Sequence, residues 1–286
     1  MKIEKKNRLT ESEKKQVWKL EKDAFAVEGL VNHAYLSNEI NAVKEAPCFY
    51  LGYERGRLVS FLTTFIPTCK ESEVLATTAI EERGKGYFTA LWKEAKEELQ
   101  RIGIEQVLFV VEKNSRSGKA KLQAYPKAEW ERSEYHMEYR GRRTMEQEKK
   151  DSLRFELVTR ENIDRFAEVT GDIFEEINRH SNFYDSLLEE KDREGYFVFD
   201  REKVVGVCNI SYEGGRAYFY GVGVVGKERG KGYGRRMLLS ALSLINAEAE
   251  SIVLDVDSHN PAAYGLYRKV GFEPLNQVEY YKYIVD

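Results

Sequence analysis

At 286 residues the chain has room for one large or two ordinary domains. Its 45 Lys and Arg against 48 Asp and Glu leave a formal charge of −3, so nothing global favours nucleic acid or an anionic membrane as a partner. No apolar run approaches the roughly 18 residues of a membrane span, and MKIEKKNRLTESEKK carries no apolar signal core, so a cytoplasmic protein is expected. Cys48, Cys69 and Cys208 follow no metal-binding spacing, which predicts unpaired thiols and no metal.

In chain order, a helix is predicted over 12–25 and less regular structure to about 45. CFYLGY (48–53) and LVSFLTTFI (58–66) then flank a turn at Gly56 and read as a hairpin. Next come a strand at 73–80, a helix at 88–102 with Phe88, Leu91, Trp92, Ala95 and Leu99 on one side, and a strand at 106–112. EYHMEYR (134–140) reads as a closing strand, and the charged stretch 141–153 as a linker.

The second half repeats this order. ERGKGY occurs at 82–87 and again at 228–233, an offset of 146, and carrying that offset along places Val253-Leu254 on Val107-Leu108 and Asn260 on Asn114. A strand at 154–159, helices over 161–190 and a hairpin at 196–213 lead to the strand-like run from 217. After it come a helix at 233–249, a strand at 251–257, a helix at 261–270 and a final strand at 279–285. Two tandem α/β domains follow, residues 1–150 and 151–286, each a mixed, mostly antiparallel sheet flanked by helices.

The stretch AYFYGVGVVGKERGKGYGRR (217–236) is the chemically distinctive one. A strand feeds a glycine and basic turn, and a helix begins where acids are absent and Arg235 and Arg236 follow, an arrangement suited to an external anion. Gly221 to Gly226 fits GxGxxG, but the strand continues through it and no helix starts at Gly226. Gly221 to Glu228 fits a P-loop except that Glu228 stands where a hydroxyl must meet Mg²⁺.

The third reading is Arg229-Gly230-Lys231-Gly232-Tyr233-Gly234, which resembles the Q/R-x-x-G-x-G/A diphosphate loop of the GNAT superfamily of acyl-CoA-dependent N-acyltransferases. Downstream, Asn260, Ala263, Tyr267, Gly271 and Phe272 resemble that family's second signature, N-x-x-A-x-x-x-Y-x-x-x-G-F. The resemblance implies two tandem GNAT-like domains and direct attack of an amine on acetyl-CoA, used as co-substrate. Residues Arg229 to Arg235 would hold the diphosphate, the Val224 and Val225 backbone would polarise the thioester carbonyl, Asn260 would border the cofactor, and Tyr267 would be the general acid.

A base is harder to read. Asp257 is the chosen candidate, with Asp255, Glu213 and His180 as rivals. The acceptor, a small-molecule or peptide amine, and the oligomeric state have no readable code. At the repeat offset Gly234 becomes Phe88 and Tyr267 becomes Lys121, so the first half is expected to be catalytically silent. A non-catalytic acyl-CoA-binding or scaffold module stays open as the alternative.

Overall fold

Local chemistry sets the elements. In the first helix, α1 (Glu11–Glu28), Thr10 and Glu13 form a reciprocal capping box, and Gly29 ends the helix at a φ of 68°. The last helix, α7 (Pro261–Val270), has Asn260 as N-cap, Pro261 in its first turn and Gly271 at a φ of 113°. The computed structural model describes residues 1–39, 41–141, 153–175, 184, 186–189, 192–213, 215–245 and 249–285. The expected linker lies almost wholly outside them.

Two compact units result, one of Met1–Glu134 with Asn276–Asp286 and one of Tyr135–Leu275. The first holds β1 (Lys2–Lys6), α1, β2 (Phe49–Glu54), β3 (Arg57–Phe65), β4 (Glu71–Thr78), α2 (Tyr87–Arg101), β5 (Gln106–Glu112), α3 (Arg116–Leu122) and the start of β6 (Glu129–Tyr139). The second holds the rest of β6, then β7 (Arg154–Leu157), α4 (Ile163–Phe174), α5 (Ser186–Glu189), β8 (Arg193–Asp200) and β9 (Lys203–Glu213). It continues through β10 (Arg216–Val224), α6 (Tyr233–Ala241), β11 (Ser251–Asp257), α7 and the start of β12 (Phe272–Ile284). Strand β1 had no clear sequence signal, because KIEKK is a polar edge strand paired only through its backbone to β2.

Strand order departs from a simple division at residue 150. The first unit's sheet runs β1-β2-β3-β4-β5-β12 and the second's β7-β8-β9-β10-β11-β6, so each half lends its last strand to the other's sheet. Antiparallel pairing of Val278–Ile284 with Glu112–Gln106 fixes the exchange in the first unit. Both closing strands alternate in the same way, so a repeat offset cannot say which sheet each joins.

Within each unit the only parallel pair among the described registers is the fourth strand with the fifth. That pairing ends at Val74 with Phe109 in the first unit and at Phe219 with Leu254 in the second; beyond these residues the strands part. A bulge between Tyr220 and Gly223 marks the second unit, whereas β3 and β4 pair without a shift. The bulge adds one residue, so strand positions correspond at an offset of 145 (Glu71 with Arg216) and helix starts at 146 (Tyr87 with Tyr233).

This corrects the residue equivalences downstream. Asp255 and Asp257 match Val110 and Glu112, Ser115 matches Asn260 as helix cap, and Leu122 rather than Lys121 matches Tyr267. One face of the second sheet packs on α6 and α7 through Met237, Leu238, Leu254, Val256, Tyr267 and Phe272. The other face meets α4 through Phe166, Ile173, Phe197 and Val207.

Candidate active site

The glycine loop is locked by its own side chains. Arg229 gives Nε to the Val224 carbonyl at 3.2 Å and Nη2 to the Ile173 carbonyl at 2.6 Å, tying the loop to the end of α4. Lys203 and Lys231 both bond the nearly inaccessible Glu228, and hydrogen bonding to Lys203 is the leading cause that holds its carboxyl below the usual range. Tyr233 and Arg236 share Asp200, at 2.8 and 3.3 Å. Arg235 is exposed.

The main chain is what the loop leaves available. Gly230 and Gly232 hold φ of 78° and 83°, and no atom lies within 4 Å of where a Cβ would stand on either. Gly232 caps α6 without a side-chain bond, and the first intrahelical donor is Arg236. The Tyr233, Gly234 and Arg235 amides are therefore first-turn donors without helical acceptors. A Cβ on Gly234 would come 2.9 Å from Leu266 Cδ2. These features fit the diphosphate of a CoA thioester, held by amides at the positive end of a helix.

The parting of β10 from β11 opens beside this loop. Gly221 takes a φ of 54° in the bulge, directly over the Asn209 carboxamide, and a Cβ on Gly223 would collide with Ile173 of α4. Of the two amides expected to face a thioester, Val225 N–H is already given to the Val205 carbonyl at 3.0 Å. Strand alternation then aims the Val224 N–H toward the side that β11 has left.

Tyr267 stands on the α6 side, 8% exposed, with its ring 6.0 Å from that of Phe272. Burial pushes its phenol up to about 12. Asn260 spends its side-chain oxygen on the Ala263 N–H at 3.0 Å, and Asp257 spends Oδ1 on the His259 N–H at 2.7 Å, closing the turn into α7. Asn260, expected at the cofactor, and Asp257, chosen as base, thus both have structural duties here. Asp255 is the first β11 residue past the last parallel pair, on the opposite face from Leu254. There it receives the Tyr218 hydroxyl at 2.9 Å and lies 2.7 Å from His136 Nδ1, while the Tyr218 and Tyr220 rings stack at 6.1 Å.

His136 carried no sequence signal. It sits in the segment read as the first half's closing strand, 119 residues before Asp255, and only the strand exchange joins them. His180 lies outside the described residues, and Glu213 ends β9.

In the first unit Gly84 and Gly86 are again left-handed, at 77° and 88°, and α2 is again uncapped by a side chain. Arg83 bonds the Thr78 carbonyl and Glu28, as Arg229 bonds Val224 and Ile173. Phe88 does not close the space. It forms one wall, with Lys121 5.2 Å over its ring, of a cavity of about 410 Å³ that runs between Val74–Thr78 and Phe109–Glu112. On the opposite face Arg132 lies between Glu73 and Glu134 and 4.0 Å over the Tyr280 ring.

Residues 159–272 match the model of the acetyltransferase (GNAT) family. A GCN5-related N-acetyltransferase from Sphaerobacter thermophilus superposes with a TM-score of 0.73 at 14% identity, covering 94% of this chain and 92% of its own. A tandem GNAT protein from the clavulanic acid biosynthesis pathway superposes at 0.71 and 16% identity over 100% and 99%. The family match lies within the second unit, and the whole chain has the tandem GNAT fold. A GNAT-family acetyltransferase from Colwellia psychrerythraea gives 0.65 at 14% identity over 99% and 100%. No curated protein matches the sequence. Each unit has the GNAT-like fold, and no described helix is long and apolar enough to cross a membrane.

Proposed function

We propose that the second unit transfers the acetyl group of acetyl-CoA to a primary amine of a small molecule or peptide by direct attack. The parting of β10 from β11 beside an uncapped glycine loop carries this reading, because it offers a diphosphate cradle and unpaired strand edges in one line. The thioester would lie along β10 with its carbonyl at the Val224 N–H. Amides of Gly230 to Arg235 would hold the diphosphate, and Arg229 and Lys231 would keep the loop in shape.

Tyr267 would face the departing sulfur. A phenol at about 12 is a weaker acid than a thiol near about 8.5, so Tyr267 stays protonated and steadies the thiolate by hydrogen bonding, and full transfer is uphill. The amine would approach from the face that bears Tyr218, Tyr220 and Asp255. Asp257 remains a candidate base only if it leaves its turn, and Asp255 already holds Tyr218 and His136 through its two oxygens.

Release of CoA thiol from acetyl-CoA across a panel of alkylamines, polyamines and peptide N-termini tests the activity. Tight acetyl-CoA binding with no release for any amine would favour a second reading, that the protein binds acyl-CoA without turning it over. One observation supports that alternative: the cavity of about 410 Å³ lies in the first unit, whose opposite face lacks the Tyr218, Asp255 and His136 grouping.

A further inference from the structure

We infer that His136, held by Asp255, is the base that deprotonates the incoming ammonium group in the second unit; this rests on the acetyl-transfer reading above. The first support is position. Asp255 is the residue at which β11 leaves β10, so a group bound to it stands at the mouth of the opening through which a thioester would meet an amine. Tyr267 and α6 occupy the other face, which separates donor from acceptor.

Geometry is the second support. Tyr218 occupies Oδ2 of Asp255 at 2.9 Å, which leaves Oδ1 for His136 Nδ1 at 2.7 Å. An Nδ1–H donated to a carboxylate selects the tautomer whose Nε2 carries the lone pair. The His136 side chain keeps 20% of its surface exposed, enough for a substrate to reach it. Alternation on β6 puts Tyr135 and Met137 into the α6-side core and His136 on the acceptor face.

Contrast with the first unit is the third support. At the position of Tyr218 stands Glu73, at that of Asp255 stands Val110, and the residue opposite Val110 on the closing strand is Tyr280. Glu73 and Tyr280 meet Arg132 and Glu134 in one cluster of ion pairs and hydrogen bonds.

An alkylammonium gives one proton to Nε2, making an imidazolium that Asp255 neutralises. Its freed lone pair attacks the thioester carbon, the C–S bond breaks, and the amide nitrogen loses its second proton to the thiolate. The imidazolium returns the first proton to water.

Bromoacetyl-CoA tests this without knowledge of the acceptor, because Nε2 can displace bromide from the acyl methylene. The probe is applied to the full chain in a Cys69→Ser background, since that thiol is exposed. The expected result is one adduct on the peptide bearing His136, lost in His136→Gln while acetyl-CoA affinity by calorimetry stays within twofold of the parent. With any amine that is turned over, His136→Gln should lower kcat by about 100-fold or more and leave the acetyl-CoA KM near its parent value. An adduct elsewhere, or none, with acetyl-CoA still bound overturns the role of His136 alone. Failure of the full chain to bind acetyl-CoA overturns the donor reading and this inference with it.

Discussion

The two units keep the same loop in different surroundings. In both, the Glu of ERGKGY pairs with its own Lys three residues on and with a basic residue of the preceding hairpin: Glu82 with Lys85 and Arg57, Glu228 with Lys231 and Lys203. In both, the Arg clamps the end of the preceding strand. What repeats is therefore the scaffold that holds glycines left-handed at a helix start. What differs lies at Gly234 against Phe88, Tyr267 against Leu122, and the bulge with its facing polar groups. Identity between repeats reports loop architecture, and chemistry is to be sought where the copies disagree.

The hardest break of this comparison is to separate the halves. A chain of residues 151–286 has lost β6, and with it Met137, which is fully buried against the second core. Absence of that side chain alone is worth about 2–5 kcal/mol, and the exposed edge of β11 adds to it. We expect no cooperative thermal transition by circular dichroism. A monomeric, cooperative melt from that fragment would mean the exchanged strand is dispensable.

Next in size is the swap of the two helix-entry residues. Gly234→Phe should weaken acetyl-CoA binding by about 100-fold, about 2.7 kcal/mol, because the ring must share space with Leu266 beside the first-turn amides. The fold should survive, since the nearest atom is the tip of a flexible leucine. Phe88→Gly in the first unit should leave turnover within about twofold. Calorimetry of both variants sharpens which cradle is used: if Phe88→Gly abolishes turnover and Gly234→Phe does not, the assignment of units is reversed.

Smaller still is Tyr267→Phe. Loss of one hydrogen bond to a developing thiolate should reduce kcat by roughly 10- to 100-fold, about 1.5–3 kcal/mol, while CoA affinity changes little. A variant with unchanged kcat would make Tyr267 a packing residue of the second core, which its burial also allows.

Much of this was legible beforehand. Strand 106–112, strand 251–257 and helix 261–270 lie where periodicity and caps put them, and the loop stands at the start of a helix as its glycines require. Three things were not legible. KIEKK has no apolar alternation, so β1 depended on a partner strand far along the chain. The one-residue bulge changed the repeat offset without changing composition, since Gly221 looks like any strand glycine until its φ is known. Finally, His136 met Asp255 only through the choice of sheet for β6, which is a tertiary decision between two similar edges.

The smallest effect sharpens the first unit's side of the contrast. Burial, reinforced by the neighbouring Glu134, pushes Glu73 up to about 7. An acid raised in the folded state holds its proton between its unfolded value near about 4.5 and about 7, while the unfolded chain has already released it. Folding therefore binds a proton in that window, and stability contributed by Glu73 is present below it and is lost as pH rises through it. Without Arg132 at 3.4 Å the carboxyl would be raised further still. Glu73→Gln keeps the shape and removes the titration, so its Tm should exceed the parent's by a few degrees at pH 8 and match it near pH 5. Thermal melts at the two pH values decide the matter: a variant less stable than the parent at pH 8 would mean that the Glu73 and Arg132 pair is ionised and stabilising, and the acceptor face of the first unit would then be charged like that of the second.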